Sequence, residues 1–326
     1  MKRRDFLRAG STVMVLPGWA AAQPSPWPVI GYLSGVGREE GEERLAAFRR
    51  GLEAAGYREG AQVRVLYRWA DGDYERLPAL AEALVREAVT VIVASGGPRA
   101  ALAAKAATDR IPVVFTMGGD PVAMGLVASL SRPGGNVTGV SFLTVDLTPK
   151  RFELLRELVP RARAFGLLVN PGTPSSEGQV RSALEVARVA GLRLHVERAR
   201  TEPEIETAFS AFARLRTEAV LVGTDAFLGA RYPQLVQAAA RRRLPTVYEG
   251  GNAVQGGGLM SYGPSINASY LQLGDYTGRI LGGAEPSTLP VLQPTKFELY
   301  INLKTARALG LQVPQTLLLR ADEVIQ

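Results

Sequence analysis

The chain of 326 residues has no cysteine and one histidine, His195. Without cysteine there is no disulfide framework, thiolate nucleophile or cysteine-based zinc site. With one histidine, a metal centre or a histidine-based triad lacks the partners it needs. His195 lies in the alternating run Leu192-Arg193-Leu194-His195-Val196, which reads as a strand surface. Long apolar runs are also missing. The one moderately apolar segment, near the N-terminus, is too short and too broken by glycine and serine to span a bilayer well. No nucleic-acid motif is visible. The run Arg241-Arg242-Arg243 closes a predicted helix and complements its C-terminal dipole. Nucleotide fingerprints are absent too: Gly256-Gly257-Gly258 precedes a strand rather than opening a helix. The run Gly118-Gly119-Asp120-Pro121 lacks the Lys-Ser/Thr of a phosphate-binding loop.

What is present fits a globular protein of about two domains: 46% apolar residues and 21% charged. The N-terminus reads Met1-Lys2-Arg3-Arg4-Asp5-Phe6-Leu7-Arg8, then the apolar segment, then Ala20-Ala21-Ala22. This is the order of a basic region, a hydrophobic region and a small-residue cleavage site. The Arg3-Arg4 pair followed by Phe6-Leu7 resembles a twin-arginine export signal. Removing residues 1–22 takes away four positive charges and one negative, so the formal charge of +7 becomes +4.

The central pattern is clearest in Val91–Met124. Two apolar runs, Val91–Ala94 and Ile111–Phe115, flank the alanine-rich segment Arg99–Thr108. Strand, helix, strand is the signature of a parallel sheet with a covering helix. Each run ends in small polar residues, where ligands sit in such sheets. The same chemistry recurs at six strand ends: Ser34-Gly35, Ser95-Gly96, Thr116 to Asp120, Asn170 to Thr173, Thr224-Asp225 and Tyr248-Glu249. Three fall in each half of the chain. Ordinary turns use the same residues, but the recurrence points to two sheet edges facing each other across a cleft.

Several stretches resemble the ABC-transporter substrate-binding proteins of the tryptophan/tyrosine type, which have the type I periplasmic-binding-protein fold. They are Arg3–Leu7 (RRDFL), Val29–Gly35 (VIGYLSG), Tyr67–Val85, Asp120–Gly139 (DPVAMGLVASLSRPGGNVTG) and Pro294–Leu311. The resemblance implies an α/β fold of two doubly wound, Rossmann-like lobes joined by three crossovers. These are expected near Gly139–Ser141, Ser261–Pro264 and Pro290–Pro294. Lobe 1 would comprise residues 27–139 and 263–290, and lobe 2 residues 140–262 and 291–326. It also implies a periplasmic monomer that carries a small molecule to an ABC permease, with no cofactor and no nucleic acid.

A non-enzymatic binding protein is the expected function, with an amino acid, possibly aromatic, as ligand. The expected ligand-binding residues are Ser34, Gly35, Ser95, Gly96, Thr116, Gly118, Asp120, Asn170, Thr173, Thr224, Asp225, Tyr248 and Glu249. Hydroxyls and backbone N–H groups would take a carboxylate, and Asp120 and Asp225 an ammonium. Tyr248, Tyr262, Phe142 and Trp69 are candidates to stack on an aromatic side chain. Two alternatives stay open. One is a sensor that presents ligand to a receptor. The other is a hydrolase that pairs Asp120 with Asp225 or Glu249.

Overall fold

The structure is a computed structural model and describes residues 27–142 and 147–326. The expected export segment, residues 1–22, lies outside them. The first unit runs β1 (Val29–Ser34), α1 (Arg38–Ala54), β2 (Arg64–Trp69), α2 (Leu77–Arg86), β3 (Val91–Ser95), α3 (Pro98–Ala107), β4 (Val113–Met117) and β5 (Val137–Ser141). Its five strands are all parallel, in the order β2-β1-β3-β4-β5. A central parallel strand has helices on both faces, so it must be apolar on both. Accordingly, β3 (VIVAS) and β4 (VVFTM) are buried at every position. Two cores result, one on each face of the sheet. Leu33, Ile92, Phe115 and Met117 pack with α2 and α3, while Ile30, Tyr32, Val93 and Val114 pack with α1 and with Tyr270, Leu273 and Tyr276 from later in the chain.

The second unit runs α4 (Thr148–Leu158), β6 (Ala164–Val169), α5 (Ser176–Val189), β7 (Arg193–Arg198), α6 (Glu202–Arg214), β8 (Ala219–Val222), α7 (Ala226–Ala230), α8 (Tyr232–Arg241), β9 (Thr246–Tyr248), α9 (Gly251–Gln255) and β10 (Met260–Pro264). The chain then returns to the first unit as α10 (Ile266–Leu281), which packs along α1. It crosses back to form β11 (Phe297–Asn302), α11 (Leu303–Leu309), α12 (Gln315–Leu318) and β12 (Glu323–Ile325). The second sheet has the order β12-β11-β10-β9-β8-β6-β7, with β11 antiparallel to β10. Its parallel part, β7-β6-β8-β9-β10, repeats the strand order of the first sheet. The fold is therefore α/β with two doubly wound lobes.

The chain passes between the sheets three times, after Ser141, after Pro264 and between Leu292 and Phe297. The first and third passages run side by side: Ser141 N–H donates to Leu292 O at 2.9 Å, and Leu292 N–H to Gly139 O at 2.9 Å. Pairing of β5 with β4 continues through Met117 and Ser141. The first sheet therefore runs to the far end of the expected crossover, Gly139–Ser141. Likewise β10 keeps its pairing to Pro264. Helices α7 and α9 and strand β12 have no counterpart in the sequence reading. Each is five residues or fewer, too short for a periodic pattern to show.

In a sheet ordered 2-1-3-4-5, the chain winds in opposite directions from the first strand and from the third, and a crevice opens between their carboxyl ends. In the first lobe that crevice lies between Ser34-Gly35 and Ser95-Gly96. In the second it lies between Asn170 and Thr224-Asp225. The two crevices face each other.

Candidate functional site

Between the lobes lies a cleft lined from both sides, the kind of place that small-ligand sites favour. The first lobe contributes Arg44, Gly96, Gly97, Pro98, Met117, Gly118, Ile266 and Tyr270, and Phe142 lies at the first passage. The second lobe contributes Thr173, Ser175, Thr224, Asp225, Ala226 and Glu249. A neighbouring chamber shares Arg44, Glu249 and Ile266 with it and is lined further by Glu43, Tyr248, Asn267, Glu298 and Tyr300.

Asp225 is the charged centre of the second lobe's wall. It caps α7, its Oδ1 accepting from Leu228 N–H at 3.0 Å. The same oxygen accepts from Asn170 Nδ2 at 2.9 Å, and Oδ2 accepts from the Tyr74 hydroxyl at 3.2 Å. Asn170 is itself fixed, its Oδ1 accepting from Gly172 N–H at 2.8 Å. Tyr74 comes from the first lobe, so the Asp225 contact ties the lobes together. Arg99 Nε, donating to Gly172 O at 2.8 Å, is a second tie. Burial raises the Asp225 pKa above the ordinary carboxylate range, and the hydrogen bonds from Asn170, Leu228 and Tyr74 oppose that rise. Burial and the Asp225 charge together push the Tyr74 hydroxyl well up, so it stays a donor. The carboxylate is thus buried among donors that carry no charge.

The first lobe's wall is chemically opposite. Arg44 projects from α1 into both cavities, and its charge reaches the hydroxyls of Tyr32 and Tyr74. Gly96 and Gly97 have φ of 80° and 104° and open α3, with Pro98 in its first turn. Glycine is required at 96 by close approach as well: a Cβ there would lie 2.8 Å from Gly35 N. The turns after β1 and β3 are in backbone contact, with Gly35 N–H donating to Ser95 O at 3.1 Å.

The expected residues fall into two groups. Gly96, Gly118, Thr173, Thr224, Asp225 and Glu249 line the cleft, and Tyr248 lines the neighbouring chamber. The others sit behind or beside it. Ser34 Oγ is spent locally, donating to Val36 O and accepting from Val36 N–H. Gly35 packs on Gly96. Ser95 Oγ bonds to the Tyr32 and Tyr270 hydroxyls. Asn170 acts through Asp225. Asp120 is exposed and caps the turn after it, accepting from Val122 and Ala123 N–H at 2.8 and 3.2 Å. Thr224 is held on all sides, its backbone by Gln179 and its hydroxyl by Arg151 Nη2 at 2.8 Å. Arg151 is wholly buried, which lowers its pKa, while Glu249 acts in the opposite direction. Among the stacking candidates, Phe142 lines the cleft beside Tyr270, with ring centroids 6.5 Å apart. Trp69 stacks on Tyr67 within the first lobe, and Tyr262 packs on Phe297.

Thr116 Oγ1 is buried with no hydrogen-bond partner among the described residues. A buried hydroxyl without a partner costs about 1–3 kcal/mol. Thr116→Val keeps the shape and removes that group. The variant is expected to be stabilised by about 1 kcal/mol, seen as a melting temperature a few degrees higher.

Sequence reasoning missed Arg44, Tyr74, Arg151, Gln179, Ser175 and Tyr270. Arg44, Arg151, Gln179 and Tyr270 lie within helices, and Tyr74 and Ser175 lie late in the turns after β2 and β6, next to the following helix rather than at the strand end.

The model of the family described as ABC transporter substrate binding protein matches residues 33–325. The chain belongs to that family. Within it, this substrate-binding protein is similar to the tyrosine-binding protein of Clostridioides difficile (strain R20291), 29% identical over 81% of this chain and 76% of the relative. It is also similar in structure to the ABC domain in complex with L-Trp from Streptococcus pneumonia, with a TM-score of 0.81 and 26% identity over 92% of this chain and 100% of the other. A ligand-free, open structure of a substrate binding protein with adhesive properties from Clostridium difficile gives a TM-score of 0.63, at 26% identity over 92% and 99% of the two chains. The two-lobed architecture of this substrate-binding protein is the type I periplasmic-binding-protein fold. The homologues are substrate-binding proteins rather than enzymes.

Proposed function

We propose that this chain is the extracytoplasmic solute-binding component of an ABC importer, that it binds an aromatic amino acid between its lobes and that it passes the ligand to a membrane permease. The observation that carries the ligand class is Asp225, a buried carboxylate held by neutral donors and facing the cationic wall of Arg44. A zwitterion satisfies both walls at once: its ammonium supplies the charge that Asp225 lacks, and its carboxylate lies toward Arg44 and the start of α3. Phe142, Met117 and Ile266 offer the apolar surface for a ring. The tyrosine and tryptophan named for two similar proteins support this choice.

The lobes, residues 27–139 with 263–290 and 140–262 with 291–326, would hinge at the three passages. Ligand shifts such an equilibrium by binding the closed form better. The direct Tyr74–Asp225 and Arg99–Gly172 bonds between lobes, and the greater likeness to the complex than to the open structure, agree with a closed conformer.

The test is a thermal-shift screen of ligand-stripped protein against amino acids, sugars and heterocycles. A ligand at 100 times its Kd adds about 2.7 kcal/mol of stability. That should raise the melting temperature by several degrees. Shifts with tryptophan or tyrosine are expected; a shift with sugars alone would overturn the amino-acid reading.

Export as a periplasmic monomer by the twin-arginine route belongs to the same reading. Intact mass of the secreted protein should show loss of residues 1–22, and changing Arg3 and Arg4 to Lys should block export. Continued export of that variant would reject the twin-arginine route.

A further inference from the structure

Tyr270 stands in the second turn of α10, the helix that brings the chain back to the first lobe. It lines the cleft, yet it is 2% exposed. Its hydroxyl is 2.9 Å from Ser95 Oγ, and Ser95 Oγ accepts from the Tyr32 hydroxyl at 3.0 Å. Three hydroxyls are thus in series across β1, β3 and α10, and each has one proton to place.

The placement is determined from the buried end. Tyr32 is enclosed by Phe48, Tyr67 and Trp69, with ring centroids 5.4–5.7 Å away. Burial pushes its pKa far up, so it keeps its proton and gives it to Ser95. Ser95 is also buried, and the described oxygen that it can donate to is that of Tyr270. A buried donor left without an acceptor is strongly disfavoured, so Ser95 donates to Tyr270. Tyr270 therefore accepts on its Ser95 side. Its own proton is then left for another acceptor, and the cleft is the cavity that this residue lines.

We propose that Tyr270 is a specificity-determining donor to the carboxylate of the ligand, and that Tyr32 and Ser95 are positioning residues that aim its proton. This rests on the amino-acid reading above. Arg44 enters the cleft from the adjoining helix α1 and is the second donor on that side. The second lobe contributes Asp225 opposite. Lobe 1 then reads the acid, lobe 2 reads the amine, and a ligand with both groups is needed to bridge them. An aromatic amine without the carboxylate keeps the Asp225 partner and loses the Tyr270 and Arg44 partners.

The experiment compares L-tryptophan and L-tyrosine with tryptamine and tyramine by titration calorimetry, in wild type, Tyr270→Phe and Tyr32→Phe. Wild type is expected to prefer the amino acids by about 100-fold or more. Tyr270→Phe should weaken amino-acid binding by about 30-fold and leave amine binding unchanged, so the preference collapses by the same factor. Tyr32→Phe does not touch the cleft. It frees Ser95 to accept from Tyr270, draws the proton inward and should reduce the preference by about 5-fold. A general packing defect would weaken acid and amine alike. If Tyr270→Phe fails to fold, Tyr32→Phe supplies the same ratio. An unchanged ratio in the variants, with wild type binding the amino acids, overturns this proposal alone. Absence of any binding of aromatic amino acids by wild type overturns the amino-acid reading and this proposal together.

Discussion

Replacing Asp225 by alanine is expected to weaken ligand binding by about 100-fold or more, the largest loss from any single side chain of the cleft. The residue is 8% exposed, and its carboxylate accepts hydrogen bonds from Asn170, Leu228 N–H and Tyr74, none of them charged. An ammonium placed against it gains a full charge partner away from bulk water, so losing that partner leaves the ligand's charge buried alone. The alanine variant also loses the cap of α7, worth about 1 kcal/mol of stability. Asp225→Asn separates the effects: it keeps an oxygen for Leu228 N–H and removes the charge. Its melting temperature should stay near that of wild type while its affinity falls nearly as far as in the alanine variant. Equal affinity of Asp225→Asn and wild type would remove Asp225 as the ammonium site.

The pH dependence follows in sign. Burial holds the Asp225 pKa above its unfolded value in the ligand-free protein. The folded state therefore binds this proton more readily than the unfolded one. Ligand-free stability should fall as pH rises from the ordinary carboxylate pKa to the raised value, then level off. Binding has the opposite slope, because an ammonium needs the ionised carboxylate. Affinity should drop as pH falls below the raised value, and binding in that window should release a proton. Calorimetry in buffers of different ionisation enthalpy measures that release, and Asp225→Asn should abolish it.

The alternation of strand and helix was legible in the sequence because both lobes depend on fully buried parallel strands. Runs such as Val91–Ala94 and Ile111–Phe115 can serve little else. The positions of strand ends followed, and with them Gly96, Thr224 and Asp225. What a strand end does was less legible. Ser34, Asp120 and Asp225 have the same sequence signature, a short polar residue after an apolar run. Ser34 closes a turn on Val36, Asp120 caps an exposed turn, and Asp225 caps a helix in the cleft. The difference lies in what the other lobe brings, Tyr74 onto Asp225 and, among the described residues, nothing comparable onto Asp120, and that partner is 151 residues away. Arg44 and Tyr270 were hidden for a related reason: helical spacing does not separate Arg44 from the other charged residues of α1, or Tyr270 from the packed residues of α10. Only the contact of α1 with α10 shows that both reach the same side of the cleft.

That contact is the basis of the second large effect, a loss of stability on Gly274→Ala. Gly51 on α1 and Gly274 on α10 let the two helices approach backbone to backbone. A Cβ at Gly274 would lie 2.2 Å from Phe48 O and 2.5 Å from Leu52 N; one at Gly51 would lie 1.9 Å from Leu271 O. These are main-chain atoms of helices, so no side-chain rotation relieves the overlap and the helices must separate. Overpacking of this kind costs about 1–3 kcal/mol, and a backbone clash belongs at or above the upper end. Propensity pulls the other way, since alanine in a helix interior is favoured over glycine by about 1 kcal/mol. The net expectation is a loss of about 2 kcal/mol, read as a clear drop in the denaturation midpoint. Gly282→Ala, just past the end of α10, is the control: its nearest neighbour would be 3.4 Å away and its φ is −79°, so its stability should be close to that of wild type. Separation of the helices should also move Tyr270 relative to Ser95, because one sits on α10 and the other on the sheet beneath. Gly274→Ala should therefore bind ligand more weakly even at temperatures where it is fully folded. A Gly274→Ala variant with wild-type midpoint would mean that α1 and α10 are not held at glycine distance.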